Sequence, residues 1–185
     1  MKYLKEISEK RIAVYKKLID FDNPNINLLF DYSKEALENN GKLIFLGNGG
    51  SFSIAEHISA EFTGRFLKER NSLPSIVLGS NSASLSAIAN DYGYENIFCR
   101  ELSALGSKND ILITMSTSGK SSNILKVLEK ADLMGIRNFL LTGINKVEVS
   151  PKTKIIKVPS SETALVQEIH LSILHQLCDF IDNTF

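Results

Sequence analysis

Only three histidines occur in the 185-residue chain, His57, His170 and His175, and two of them have a polar companion at helical spacing. His57 and Glu61 are four positions apart, so a helix puts them on one face; Gln167 and His175 are eight apart, offset by about 80° around a helix axis. If the two pairs converge, two imidazoles, a carboxylate and an amide meet, a set suited to general acid–base chemistry or to a metal ion. On spacing alone the blander outcome is commoner, because His-x-x-x-Glu is usually a solvated pair on a surface helix. His170 falls off the line joining Gln167 and His175 and reads as a structural residue.

Two further stretches have the composition of anion sites. Ser116-Thr117-Ser118-Gly119-Lys120-Ser121-Ser122 places five hydroxyls in seven residues after an apolar run. A helix cap needs one hydroxyl, so the surplus favours a phosphate held by hydroxyls and backbone amides at a helix N-terminus. Gly119-Lys120-Ser121 imitates the end of a P-loop, but Thr114 stands where that motif needs glycine, which argues against nucleotide triphosphate hydrolysis. Gly47-Asn48-Gly49-Gly50-Ser51 also follows an apolar run. It can hold an anion on bare amides and a hydroxyl, and it fits a mere tight turn equally well. Phe52 at the third glycine position separates it from the dinucleotide fingerprint.

From residue 42 onward short apolar runs recur: Leu43-Ile44-Phe45-Leu46, Ile76-Val77-Leu78, Ile111-Leu112-Ile113, Phe139-Leu140-Leu141 and Ile155-Ile156. Continuous rather than alternating runs suit strands covered on both faces, and most intervals are long enough for crossover helices. The pattern predicts an α/β protein with a central parallel sheet, and in such a sheet ligands lie outside the carboxyl ends of the strands, where both turns fall. Ahead of the sheet, residues 2–20 carry Leu4, Ile7, Val14 and Leu18 on one helical face with Ile12, Tyr15 and Ile19 beside them. A second helix is announced by Asn23-Pro24 and ended by Asn39-Asn40-Gly41. The wide apolar stripe of the first helix needs cover, from its own domain or from another subunit. Near the end, Val166, Ile169, Ile173, Leu174, Leu177 and Ile181 predict a long amphipathic helix over about 162–182 that carries Gln167 and His175.

Composition narrows the partners. With 43% hydrophobic and 23% charged residues, the chain reads as a single ordinary globular domain over 1–185. Lys plus Arg and Asp plus Glu number 21 each, which leaves no basic field to hold a nucleic acid. No apolar run approaches the roughly 18 residues of a bilayer span and no signal-peptide core follows Met1, so the expected location is the cytoplasm, without membrane partners. Cys99 and Cys178 lie far apart in apolar, helix-like stretches and read as free buried thiols.

Taken in order, Gly47-Asn48-Gly49-Gly50-Ser51, His57-x-x-x-Glu61-Phe62-Thr63-Gly64-Arg65, Asn90-Asp91-Tyr92-Gly93, Ser116-Thr117-Ser118-Gly119-x-Ser121 and Gln167-Glu168-x-His170 resemble the sugar isomerase (SIS) domain family. Within it they resemble the phosphoheptose isomerase branch, over the whole chain. The resemblance implies a three-layer αβα sandwich preceded by two N-terminal helices, and a homotetramer with sites at subunit interfaces to which residues 1–40 contribute. It implies contacts to a phosphorylated seven-carbon sugar from Asn48, Gly49, Gly50, Ser51, Glu61, Asn90, Asp91, Ser116, Thr117, Ser118, Ser121 and Gln167. Glu61 and His175 match the family's acid–base pair. In zinc-containing members the metal site corresponds to His57, Glu61, Gln167 and His175, which implies one zinc per subunit and no nucleotide or redox cofactor.

The implied reaction turns sedoheptulose 7-phosphate into D-glycero-D-manno-heptose 7-phosphate through an enediol, for bacterial surface heptose synthesis. Glu61 is the base and His175 serves the oxygens. Two other roles share the fold: a non-catalytic SIS protein that binds the bacterial replication initiator, and a sugar-phosphate-binding regulator. Thr63-Gly64-Arg65 after Glu61, together with His175, looks like the isomerase branch, and 185 residues leave no room for the DNA-binding domain a regulator would carry. Four positions depart from the usual pattern: Ile54 for aspartate, Glu56 for glutamine, Lys120 for asparagine and Leu165 for arginine. None removes a residue of the acid–base pair, and all lie beside expected sugar or phosphate contacts.

Overall fold

The five apolar runs pair into one parallel sheet. The computed structural model describes residues 2–20 and 23–185. In it β1 (Leu43–Gly47), β2 (Ser75–Val77), β3 (Ile111–Ser116), β4 (Arg137–Thr142) and β5 (Lys154–Lys157) lie in the order β2-β1-β3-β4-β5. Every pairing is parallel, with Phe45 opposite Ile113 and Ile113 opposite Phe139. Side chains alternate across the sheet, so Leu43, Phe45, Ile113 and Phe139 feed one buried cluster while Ile44, Leu46, Leu112 and Leu140 feed another. Both faces are covered, which is why the runs are continuous.

The first cluster is roofed by α1 (Lys2–Asp20), α2 (Pro24–Glu38), α3 (Gly50–Thr63) and the last helix, α7 (Thr163–Asp182). The second is roofed by α4 (Ser82–Tyr92), α5 (Ile97–Leu105) and α6 (Ser122–Met134). This is the three-layer αβα arrangement, with β4 and β5 joined by a loop over 143–153 rather than a helix. α2 begins as expected: the Asn23 side chain accepts the Asn25 amide at 3.2 Å and Pro24 occupies the first turn. α1 shares its stripe between two environments. Val14 is buried and Tyr15 and Leu18 pack on the core, while Leu4, Ile12 and Ile19 are 68%, 53% and 79% exposed. The chain's own sheet therefore covers only part of the face.

Cys99 is half-buried in α5 and Cys178 buried in α7, both as free thiols, and burial pushes the Cys178 thiol up to about 12. Among the described residues no helix is long and apolar enough to cross a membrane.

His170 is fully buried on α7, and neither ring nitrogen has a hydrogen-bond partner of normal geometry. Burial lowers its pKa from 6.5 to about 4, opposed only by the Thr142 backbone. The unfolded imidazole thus binds a proton that the folded one refuses between these two values, so stability falls as pH drops through that window. From pH 7 to pH 5 the expected loss is about 2 kcal/mol. Urea unfolding at both pH values, at one protein concentration, measures it. His170→Asn should flatten the dependence, and a variant as pH-sensitive as the wild type would contradict the assignment.

Candidate active site

The chain leaves β1 toward β2 and leaves β3 toward β4, on opposite sides, so the carboxyl ends of β1 and β3 border a topological switch point. Both ligand-type turns open there. At the β1 turn the backbone comes close to its neighbours: a Cβ on Gly47 would sit 2.6 Å from the Ser51 Cβ, and one on Gly50 would sit 2.9 Å from the Gln167 amide. At the β3 turn Gly119 has φ +68°, and a Cβ there would lie 2.3 Å from Val147, so only glycine fits.

The hydroxyls of the second turn hold the turn rather than the helix. Ser121 is the N-cap residue of α6, yet its side chain makes no capping bond; its Oγ lies 3.3 Å from that of Ser116. Ser116 Oγ accepts the Gly119 amide and Ser118 Oγ the Lys120 amide, each at 3.2 Å. Helix capping therefore does not account for the hydroxyl run.

The two turns are tied across the crevice by Asn48 and by two residues that no sequence motif marks, Asn123 and Tyr94. Asn48 and Asn123 exchange amide hydrogen bonds of 3.0 and 2.9 Å, and the Tyr94 hydroxyl donates to Asn48 Oδ1 at 3.1 Å. Asn123 is buried. An asparagine just inside a helix that follows a ligand-type turn was the one available signal. Asn90 and Asp91 stand exposed in the last turn of α4, bonded to each other at 2.9 Å.

α3 and α7 pack side by side and bring the polar pairs together. His57 Nε2 lies 3.0 Å from His175 Nε2 and 3.4 Å from Glu61 Oε1, and one ligand atom from each residue falls within 4.8 Å of the others. Phe66 stacks on the His175 ring with centroids 5.4 Å apart, beside a cleft of about 390 Å³ that Leu171 and Ser172 also line. Three of the four expected metal ligands thus converge. The fourth, Gln167, sits two turns earlier on α7, its Nε2 3.4 Å from Ser51 Oγ at the glycine turn.

Burial, and then the neighbouring His57, lower the His175 pKa, with Glu61 opposing. His175 therefore stays neutral at a lower pH than usual, as a proton acceptor or metal ligand must. The spacing of the donors fits an ion. Two bonds of about 2.0 Å at a tetrahedral angle put their donor atoms about 3.3 Å apart, close to both the 3.0 and 3.4 Å separations observed.

The SIS domain model matches residues 2–143. A phosphoheptose isomerase from Helicobacter pylori (strain Shi470) is 47% identical over 98% of this chain and 91% of its own. The chain belongs to the phosphoheptose isomerase family of SIS domain proteins. A second phosphoheptose isomerase, from Campylobacter jejuni serotype O:2, is 44% identical over 82% of each chain. The solved structure of a phosphoheptose isomerase from Francisella tularensis superposes with a TM-score of 0.92 at 33% identity, covering 98% of this chain and 97% of that one. Against the family pattern, Leu165 is buried in the core that Ile54 also packs on, so two positions that often carry charge are both apolar here. Glu56 and Lys120 are exposed.

Proposed function

We propose that this chain isomerises sedoheptulose 7-phosphate to D-glycero-D-manno-heptose 7-phosphate in the cytoplasm, as a homotetramer of SIS units spanning 1–185. The observation that carries the reading is the meeting of Glu61 with His57 and His175 on two helices, one of which starts at the β1 ligand turn. The Ser116–Ser121 turn receives the phosphate on hydroxyls and amides, and Asn48, Gly49, Gly50, Ser51, Asn90, Asp91 and Gln167 hold the sugar. Anchoring the remote phosphate fixes the reacting carbons against the base.

Glu61 removes the proton from C1 of the ketose and returns it to C2. One of its carboxylate oxygens is engaged with His57, which leaves the other for the proton. His175 moves the proton between the two substrate oxygens, a task for a neutral imidazole. Zinc is proposed at His57, Glu61 and His175, the three residues that meet, while Gln167 stays beside Ser51 at the glycine turn. When bound, the ion supplies Lewis-acid polarisation of the sugar oxygens.

Ser51 and Glu61 are ten residues apart on α3, about 15 Å along its axis. That gap between ligand turn and base supports sites shared between subunits. The bare half of the α1 stripe supports a role for helices 1–40 in building them.

Turnover tests the proposal: purified protein given sedoheptulose 7-phosphate should form the aldose, lose most of that rate on chelation and regain it with zinc. Full activity in protein shown to be metal-free would remove zinc from the account and leave the isomerase. For the phosphate turn, replacing Ser118 and Ser121 together by alanine should raise KM by about tenfold or more, since each bond to a charged group is worth about 1.5–3 kcal/mol. An unchanged KM would move the phosphate elsewhere.

A further inference from the structure

Beyond the cluster, at the far ends of the same two helices, a buried ion pair ties α3 to α7. Arg70 follows α3 and Asp182 closes α7; they meet at 2.7 Å with side chains 3% and 0% exposed. Arg70 donates from Nη2 to the Glu61 carbonyl at 2.7 Å and from Nη1 to the Phe62 carbonyl at 3.0 Å and the Asn71 carbonyl at 3.1 Å. Asp182 Oδ2 accepts the amides of Leu67 at 2.8 Å and Lys68 at 2.9 Å. The Glu61 and Phe62 carbonyls belong to the last turn of α3, where intrahelical donors run out, and a cation there also suits the helix dipole. Burial alone would raise the Asp182 carboxyl, but the Lys68 amide, the Arg70 guanidinium and the Leu67 amide outweigh it and hold it below the usual range.

The clamp joins the backbone of Glu61 directly to the helix that carries His175, seven residues before Asp182. It also pins the start of the segment after α3, so that Phe66 lies over the His175 ring. Stability gives little reason for an ion pair here, because apolar replacements of buried pairs are often neutral or stabilising. Fixed geometry does give one. Resting on the isomerase reading, we propose that Arg70 and Asp182 are positioning residues for the reaction, holding Glu61, His175 and Phe66 at their working distances.

The test compares kcat and KM for Arg70→Gln, Arg70→Lys and Asp182→Asn in the full-length protein. Leu102→Ala, buried in the other helix layer, serves as a control that loses stability without touching the clamp. Arg70→Gln and Asp182→Asn should lose about a hundredfold in kcat, as a small misplacement of reacting groups does. KM should stay within about threefold, because the phosphate turn is untouched. Arg70→Lys should recover part of kcat, keeping the charge but not the planar fork, and Leu102→Ala should lower Tm while keeping kcat. If Arg70→Gln is insoluble, Arg70→Lys and Asp182→Asn carry the comparison. Wild-type kcat in the clamp variants, or a loss no larger than that of Leu102→Ala at equal Tm, overturns the inference and leaves the isomerase. A wild type without turnover overturns both.

Discussion

Glu61→Gln should lower kcat by about a thousandfold while leaving the affinity for the sugar phosphate nearly unchanged. The amide keeps the shape of the side chain and one acceptor oxygen, but no basic oxygen remains to take the C1 proton. In the proposed mechanism the Ser116–Ser121 and Gly47–Ser51 turns carry most of the binding, and the substitution leaves both intact. His175→Gln should behave similarly, and because Glu61 and His175 share one cluster with His57, the double variant should be little worse than either single one. Calorimetric titration alongside steady-state rates separates the two parameters. Losses that multiply in the double variant would mean that the two residues act at separate sites.

Removing residues 2–20 should dissociate the proposed tetramer. The deletion takes away the exposed Leu4, Ile12 and Ile19, and with them the buried Val14 and the Tyr15 and Leu18 side chains packed on the core. It also removes the pairing of Arg11 with Glu168, whose two hydrogen bonds are 2.5 Å each. Sedimentation velocity should show smaller species or aggregates from the newly bared surface. A soluble, intact tetramer after deletion would place the interface on other elements.

Some of this was legible in the sequence because it depends on local pattern. The central strands β1 and β3 announced themselves as apolar runs, since in the middle of a sheet covered on both faces every side chain is buried. The His57–Glu61 pair followed from four-residue spacing alone. His175 could not be placed beside them in that way, because the relative register of α3 and α7 is set by packing between helices that 99 residues separate. The same register explains Gln167. Offset by about 80° and about 12 Å along α7 from His175, it meets Ser51 at the glycine turn rather than the imidazoles.

Asn123, Tyr94, Arg70 and Asp182 escaped notice for another reason. Each is a single polar residue at a helix end or in a connection, with no periodicity to mark it, and its importance lies in partners distant in the chain. The resemblance to SIS proteins supplied the likeness of site residues that spacing left open. It was silent on the clamp and on the amide pair between the turns.

The most direct measurement of the central claim follows sedoheptulose 7-phosphate by proton NMR with zinc-loaded wild-type protein and with Glu61→Gln. The account predicts anomeric signals of the aldose 7-phosphate growing with the wild type and staying at background with Glu61→Gln, although both proteins bind the sugar. Absence of aldose with the wild type, or wild-type kcat in Glu61→Gln after zinc removal, would contradict it.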